Sequence, residues 1–315
     1  MGLIMTFTLR LHMNVTVEGG RSSTPPRLDR VLAGMAKVSA RRILKRRKRF
    51  ARKPGTKRTH ALSTGLTRFL SVDKLTRMVF GTRLIRRRKS GIRDLRQSLG
   101  SLRDAQELRL KVKSVERPDG STKRFLRHLN AERKRRLKRF QRELDAFSMK
   151  PIKRCERSGE IERVLQAAPE RDLPELRREL LDRVIEWIPR AVDERDDQAL
   201  HRLRVRYKVY RYTIDLLPKV MTGADDAFLA DLKHVQTILG EAHDWLVMRQ
   251  EWRAFQEACG RNDPEPSWLT ARYEASHEQA RAHITAAIAK LDEWEHNPAP
   301  TPALSVDEAQ TLHTA

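Results

Sequence analysis

The sequence is short of several things, and each shortage closes off a class of protein. Only two of its 315 residues are cysteine, Cys155 and Cys259, far apart and outside any CxxC pair. Neither a disulfide framework nor a cysteine-rich zinc site is therefore expected. No apolar run reaches the length of a bilayer span, and mean hydropathy is −0.65, so the reading is a soluble, cytoplasmic chain with no membrane partner. The mildly apolar stretch Gly2 to Val17 is broken by Arg10, His12 and Asn14 and has no cleavage site after it, so no signal peptide is expected. Aromatic residues make up 6%, and four of the five tryptophans lie after residue 200, away from the most basic part of the chain. Platforms for stacking unpaired bases are missing there. There is no RNP, KH, zinc-finger or basic-zipper pattern. There is equally no Walker loop, no HExxH, no Gly-x-Ser-x-Gly and no acidic cluster suited to Mg²⁺, and His277 with His283 at i, i+6 is a poor ligand pair. No metal, no cofactor and no catalytic residue are expected.

Positive charge is what the chain has in excess. Against 41 Asp+Glu stand 65 Lys+Arg, a net charge of +24. Residues 1–150 carry 42 basic against 11 acidic side chains, net +31, whereas residues 151–315 carry 23 against 30, net −7. The densest runs are Arg41 to Arg49, Arg86 to Lys89 and Arg133 to Arg139. A field of this size seeks a polyanion.

Residues 18–28 have loop composition, and from Leu28 onward apolar residues recur at three and four, as in Ile92, Leu95, Leu99, Leu102 and in Leu229, Leu232, Val235, Leu239. Breaks near Pro54-Gly55, Pro118 to Ser121, Ser158-Gly159, Pro218 to Asp226 and Asn262 to Pro266 predict an all-α protein of about ten helices. The Pro/Ala/Thr-rich tail 297–315 is expected to be disordered. The chain also looks duplicated. Leu99-Gly100-Ser101-Leu102-Arg103-Asp104 and Leu239-Gly240-Glu241-Ala242-His243-Asp244 share Leu-Gly-x-x-x-Asp at an offset of 140, and His60-Ala61-Leu62 and His201-Arg202-Leu203 share His-x-Leu at an offset of 141. Two similar helical halves predict a pseudo-twofold arrangement whose shared face can host a site.

One helix carries the most chemistry. At 100° per residue, His201, Arg204, Lys208 and Arg211 fall in a stripe ~80° wide, opposite a buried face of Leu203, Tyr207, Tyr210, Ile214 and Leu217. Like charges in such a row repel, so a counter-charge is needed. Asp244 and Asp104 of the repeated pattern are candidates to orient the cations, and a bound anion is the other source.

These residues resemble a known family. His201-x-x-Arg204-Val205-x-x-Lys208-x-x-Arg211-Tyr212, followed by Leu232-Lys233-x-x-Gln236-x-x-Leu239-Gly240-x-x-x-Asp244, is similar to the second half of a CHAD domain (conserved histidine α-helical domain). His60, Arg68 and Leu99-Gly100-Ser101-Leu102-Arg103-Asp104 fit the first half, while Ser63 and Thr67 stand where the family usually has arginines, which either weakens the N-terminal half of any site or shifts its work onto Arg86, Arg88, Arg93 and Arg96. The resemblance runs from about residue 30 to 296. It implies an all-helical fold of two four-helix-bundle-like halves, about 28–158 and 159–296, around a basic groove or pore, with residues 1–27 as a flexible N-terminal segment. The implied ligand is inorganic polyphosphate, and some members localise to polyphosphate granules. No Glu-x-Glu-x-Lys signature of the triphosphatase domain found in fused relatives is present. The expected polyphosphate-binding residues are His60, Arg68, Arg93, Arg96 and Arg103 in one half and His201, Arg204, Lys208, Arg211 and Lys233 in the other, oriented by Asp104 and Asp244, with acid strengthening binding as the histidines charge. The alternative is a nucleic-acid-binding or nucleoid-associated protein using the N-terminal basic runs. A phosphohydrolase using His60 or His201 is a weaker one.

Overall fold

The computed structural model describes residues 27–296 apart from residues 86–90, Ser158, Arg195 and Pro218. The N-terminal segment, the tail after residue 296, and Arg86 and Arg88 lie outside the described residues. What is described is all-helical, in twelve segments: α1 (Leu28–Arg52), α2 (Thr56–Phe80), α3 (Ile92–Lys113), α4 (Gly120–Ala146), α5 (Lys150–Glu156), α6 (Gly159–Gln166), α7 (Leu173–Ile185), α8 (Ile188–Val192), α9 (Asp197–Leu216), α10 (Lys219–Thr222), α11 (Asp226–Ala258) and α12 (Ser267–His296).

The expected breaks fall at helix boundaries, although Gly120 and Gly159 already belong to the helices that follow and the stretch 218–226 also holds the short α10. The count is higher than ten because prolines also start helices. Pro151, Pro174 and Pro189 each sit in the first turn of α5, α7 and α8, where a missing N–H costs nothing. Aspartates cap several of the longer ones: Asp119 accepts from the Thr122 amide at 2.7 Å, Asp172 from Glu175 at 2.9 Å and Asp225 from Phe228 at 2.7 Å. α2 closes on Gly81, whose φ of 64° is the left-handed conformation in which glycine is favoured.

The basic segment 28–58 forms α1 and the start of α2. α1 folds because Leu28, Leu32, Met35, Ala36, Ile43 and Phe50 bury one face while Arg41, Lys45, Lys48 and Arg49 stay exposed on another. Three apolar clusters hold the helices together. One lies within the first half, joining Phe50, Phe69, Leu99, Phe140 and Ile152. The second joins Leu32 and Val72 to Leu180, Leu203, Leu239 and Ile284, and the third joins Leu108 and Phe125 to Trp252 and Leu269. Two of the three clusters thus cross the expected boundary near residue 158. Where two sets of helices share their cores, the faces between them are fixed rigidly. α9 is central to this packing, touching α2, α7, α8 and α11, while α3 touches α2, α4 and α11.

Candidate functional site

α9 is set in place before its charges are considered. Asp196 caps it, accepting from the Gln198 amide at 2.7 Å, and Asp197 follows in the first turn. Leu203, Tyr207, Tyr210 and Ile214 are buried as their spacing predicts. Tyr207 donates its hydroxyl hydrogen to the Leu232 carbonyl of α11 at 3.1 Å, and Tyr210 donates to Glu295 Oε1 at 2.9 Å. The cationic stripe is therefore carried on a helix anchored at both neighbours.

Along that stripe the surroundings change from open to enclosed. His201 is exposed, Arg204 and Lys208 are half-buried, and Arg211 is buried. Arg211 is already engaged: its Nε donates to Gln236 Oε1 at 2.7 Å, Asp215 lies 3.8 Å away, and its guanidinium stacks 4.5 Å from the Tyr212 ring centre. It supplies a fixed charge. Lys208 lies within the field of Arg204 and Arg211 of its own helix and of Arg96 and Arg103 from α3. Burial, then these four cations, pull its ammonium down to about 8.

Arg204 is where the two copies of the repeat meet. Burial lowers its pKa, and Asp244 of α11 and Asp104 of α3 oppose that shift. Both aspartates thus act on one guanidinium. Water reaches Asp104, but the protein crowds it, and this burial together with the charge of Asp244 pushes its carboxyl up to about 6 despite Arg103, Arg204 and Arg136. Asp244 has a further partner in Lys111, 3.5 Å away, whose ammonium lies 4.6 Å from the Trp245 ring centre.

The histidines are harder to charge than a free imidazole. Burial and Arg204 lower His201, and burial and Arg103 lower His60, against which Glu107 acts in the other direction. His201 Nδ1 stands 3.2 Å from His243 Nδ1, with ring centres 4.7 Å apart, so one ring donates and the other accepts. Burial and its neighbours, Arg204 first, drive His243 down to about 3. His243 was not among the residues singled out from the sequence, although the signal exists: the offset of 140 maps it onto Arg103. In both copies the repeated histidine is therefore influenced from the same position: the charge of Arg103 acts on His60, and His243 contacts His201.

α1 supplies another group that the sequence reading missed. The offset of 141 maps Ser63 and Thr67 onto Arg204 and Lys208, so the first copy lacks the cations of the second. Arg46 reaches this stretch of α2 instead. Its Nη1 donates to the Ala61 carbonyl at 2.8 Å and lies over Gly65, where a Cβ would come within 2.9 Å of Nη1. The equivalent contact exists in the other copy with the roles exchanged: residues 46 and 61 map onto Trp187 and Arg202, and the Arg202 guanidinium stacks 4.8 Å from the Trp187 ring centre. Arg42 and Arg211 in turn border Arg68, alongside Asp215 and Tyr212.

Of the residues expected from the sequence, His60, Arg68, Arg96, Arg103, Asp104, His201, Arg204, Lys208, Arg211 and Asp244 form one electrostatically connected group. Arg93, in the first turn of α3, and Lys233, two turns into α11, stand exposed, and no described side-chain contact ties them to it. The cleft of about 750 Å³ between α3 and α4 lies on the next face of α3 and is a different kind of surface. Two of its arginines are paired with acids, Arg139 to Glu143 at 2.8 Å and Arg136 to Glu251 at 2.5 Å. Among the described residues, no group of three or more His, Cys, Asp or Glu is placed to hold a metal ion. None of the described helices is long and apolar enough to cross a membrane.

The family model of the CHAD domain matches residues 35–253. The chain belongs to the CHAD family. The crystal structure of the CHAD domain from the plant Ricinus communis superposes with a TM-score of 0.58 at 16% identity, covering 96% of this chain and 98% of that one. This CHAD fold also matches PptA from Streptomyces chartreusis at a TM-score of 0.49 and 15% identity, over 84% of this chain and 98% of the other. No curated protein matches the chain. Every residue of the connected group, from His60 to Asp244, falls inside the CHAD match.

Proposed function

We propose that this CHAD protein binds inorganic polyphosphate, without chemical conversion, on the face shared by α2, α3, α9 and α11. The observation that carries the reading is Lys208, held in the field of Arg96, Arg103, Arg204 and Arg211 on packed helices. A fold that crowds five cations this closely pays in self-repulsion, and a polyanion relieves it. Polyphosphate matches the residue types. It repeats negative charge along a thin chain and has no bases, while guanidinium forks take two phosphate oxygens at once. Tyr212, an aromatic ring beside Lys208 and Arg211, is covered by both, with their charged groups 5.7 and 4.5 Å from its centre, and so is occupied rather than free to stack a base. A binding role fits the histidines too, since His201 is turned to His243 rather than to a carboxylate that would make it a base.

The test is a titration with long-chain polyphosphate and length-matched duplex DNA at two salt concentrations, counted per phosphate. Polyphosphate that stays bound at the salt where DNA dissociates is the expected result. Parallel loss of both with salt would instead favour a general polyanion surface, with nucleic acid the leading partner.

Binding should also tighten as pH falls, in two stages. Lys208, near 8 in the free protein, must be charged to bind an anion, so binding takes up a proton and affinity drops as pH rises through 8. Asp104, near 6, loses its repelling charge as pH falls through that value, so affinity climbs again. The histidines add to this only in more acid solution than a free imidazole would need. Titrations from pH 5.5 to 9 at constant ionic strength measure both arms. Lys208→Arg should flatten the alkaline arm and Asp104→Asn the acid one; a flat profile in the unmodified protein would remove this account of the site.

A further inference from the structure

Gly100 and Gly240 hold equivalent places in the repeat and lie in the interiors of α3 and α11. Glycine is a poor helix former, second only to proline, so its presence in mid-helix calls for a reason. One reason is close packing, and Gly65 of α2 illustrates it: a Cβ there would meet the Arg46 side chain at 2.9 Å. Gly100 and Gly240 differ. Beyond its chain neighbours and the backbone of its own helix, a Cβ built on either meets nothing within 4 Å. Both have helical geometry, with no positive φ to require glycine.

Their positions supply the missing reason. On α3, Gly100 lies between the lines of Arg96 and Arg103 on one side and Asp104 on the other, ~40–60° from each. On α11, Gly240 lies in the same way between Gln236 and His243 on one side and Asp244 on the other. These neighbours are the groups that engage Lys208, Arg204, Arg211 and His201 of α9. Each glycine is thus a bare patch of backbone in the middle of the charged face, and the space above it is taken by no part of the protein.

We infer that Gly100 and Gly240 form the two floors of the site, where the phosphate chain lies directly against helix backbone and so comes within reach of the short-range donors on either side. The interior amides of these helices are already bonded within the helix, so the glycines contribute clearance rather than hydrogen bonds. This rests on the polyphosphate reading and adds to it where the chain runs: over both helices that carry the Leu-Gly-x-x-x-Asp pattern.

The inference has a test in which stability and binding move in opposite directions. Gly100→Ala and Gly240→Ala should each raise the melting temperature by about 2 °C or more, because alanine favours the helix and its methyl meets nothing. Each should weaken long-chain polyphosphate binding about fivefold, and Gly240→Leu should weaken it more than tenfold. Gly65→Ala is the control and should lower the melting temperature, since its methyl meets Arg46. Alanine variants that melt higher and bind as well as the unmodified protein would overturn the inference, and so would variants that melt lower, because the space would then be occupied. If the unmodified protein does not bind polyphosphate at all, the functional reading fails instead, and the two failures are told apart by that first titration.

Discussion

Replacing Arg204 and Lys208 together with alanine should weaken polyphosphate binding at least tenfold and leave the protein folded. A charge-assisted hydrogen bond to phosphate contributes about 1.5–3 kcal/mol, and about 1.4 kcal/mol is one decade in affinity, so losing two such contacts can exceed a hundredfold. The thermal midpoint should hold or rise. Both side chains have pKa values lowered by burial, which means that the free fold carries their charge against a penalty. Their removal does not strand the aspartates, since Asp104 keeps Arg103 and Arg136 nearby and Asp244 keeps Lys111 at 3.5 Å. Circular dichroism and isothermal titration on the same preparation measure both quantities. Unchanged affinity in a folded double variant would move the ligand to another basic surface, of which the exposed cations of α1 and α4 are the obvious ones.

Glu295→Ala should destabilise the protein by about 3 kcal/mol, seen as a lower midpoint in urea. Glu295 and Arg177 are almost fully enclosed, 2% and 7% exposed as side chains, and lie 3.6 Å apart. Arg177 also donates to the Thr222 carbonyl at 2.7 Å and stacks 5.0 Å from the Trp294 ring centre. Taking away the carboxylate leaves a buried guanidinium without its counter-charge, which is the costly way to break such a pair. It also frees the Tyr210 hydroxyl, whose bond to Glu295 at 2.9 Å ties α12 to the middle of α9. Polyphosphate affinity should therefore fall as well, though by less than in the double variant, because the stripe on α9 loses part of its support. Glu295→Gln keeps an acceptor for Tyr210 and should be milder in both respects. A Glu295→Ala protein as stable as the original would mean that water enters and solvates Arg177.

The two predictions draw on different kinds of information. Arg204 and Lys208 could be found by counting along one helix, because a helix turns by a constant angle and a stripe at i, i+3, i+7 and i+10 is a property of the chain order alone. The apolar face of the same helix, from Leu203 to Ile214, was readable for the same reason and is buried. The repeat, too, is a pattern of residue order, and the expectation it carries is that His60 and His201 occupy corresponding places. The Arg177, Tyr210 and Glu295 cluster was not readable. Its members come from three helices separated by long stretches of chain, and no local pattern marks a glutamate near the end of the last helix as a buried partner.

The same divide runs through the site. Arg96 and Arg103 could be placed on one edge of α3, yet that this edge acts on Lys208 follows from how α3 and α9 are both held against α2 and α11. Arg46 was one of seven basic residues in a run from Arg41 to Arg49, and charge density cannot distinguish among them; a glycine at position 65 of the next helix makes room for this one. His243 was written into the repeated pattern without standing out, and became part of the site through its contact with His201. Helix type, helix spacing, charge asymmetry and duplication are local or additive properties and can be read from residue order. Which cations face one another, which acids they share and how far each is desolvated depend on side chains brought together from distant parts of the chain, and the strength of every interaction among them falls off within a few ångströms.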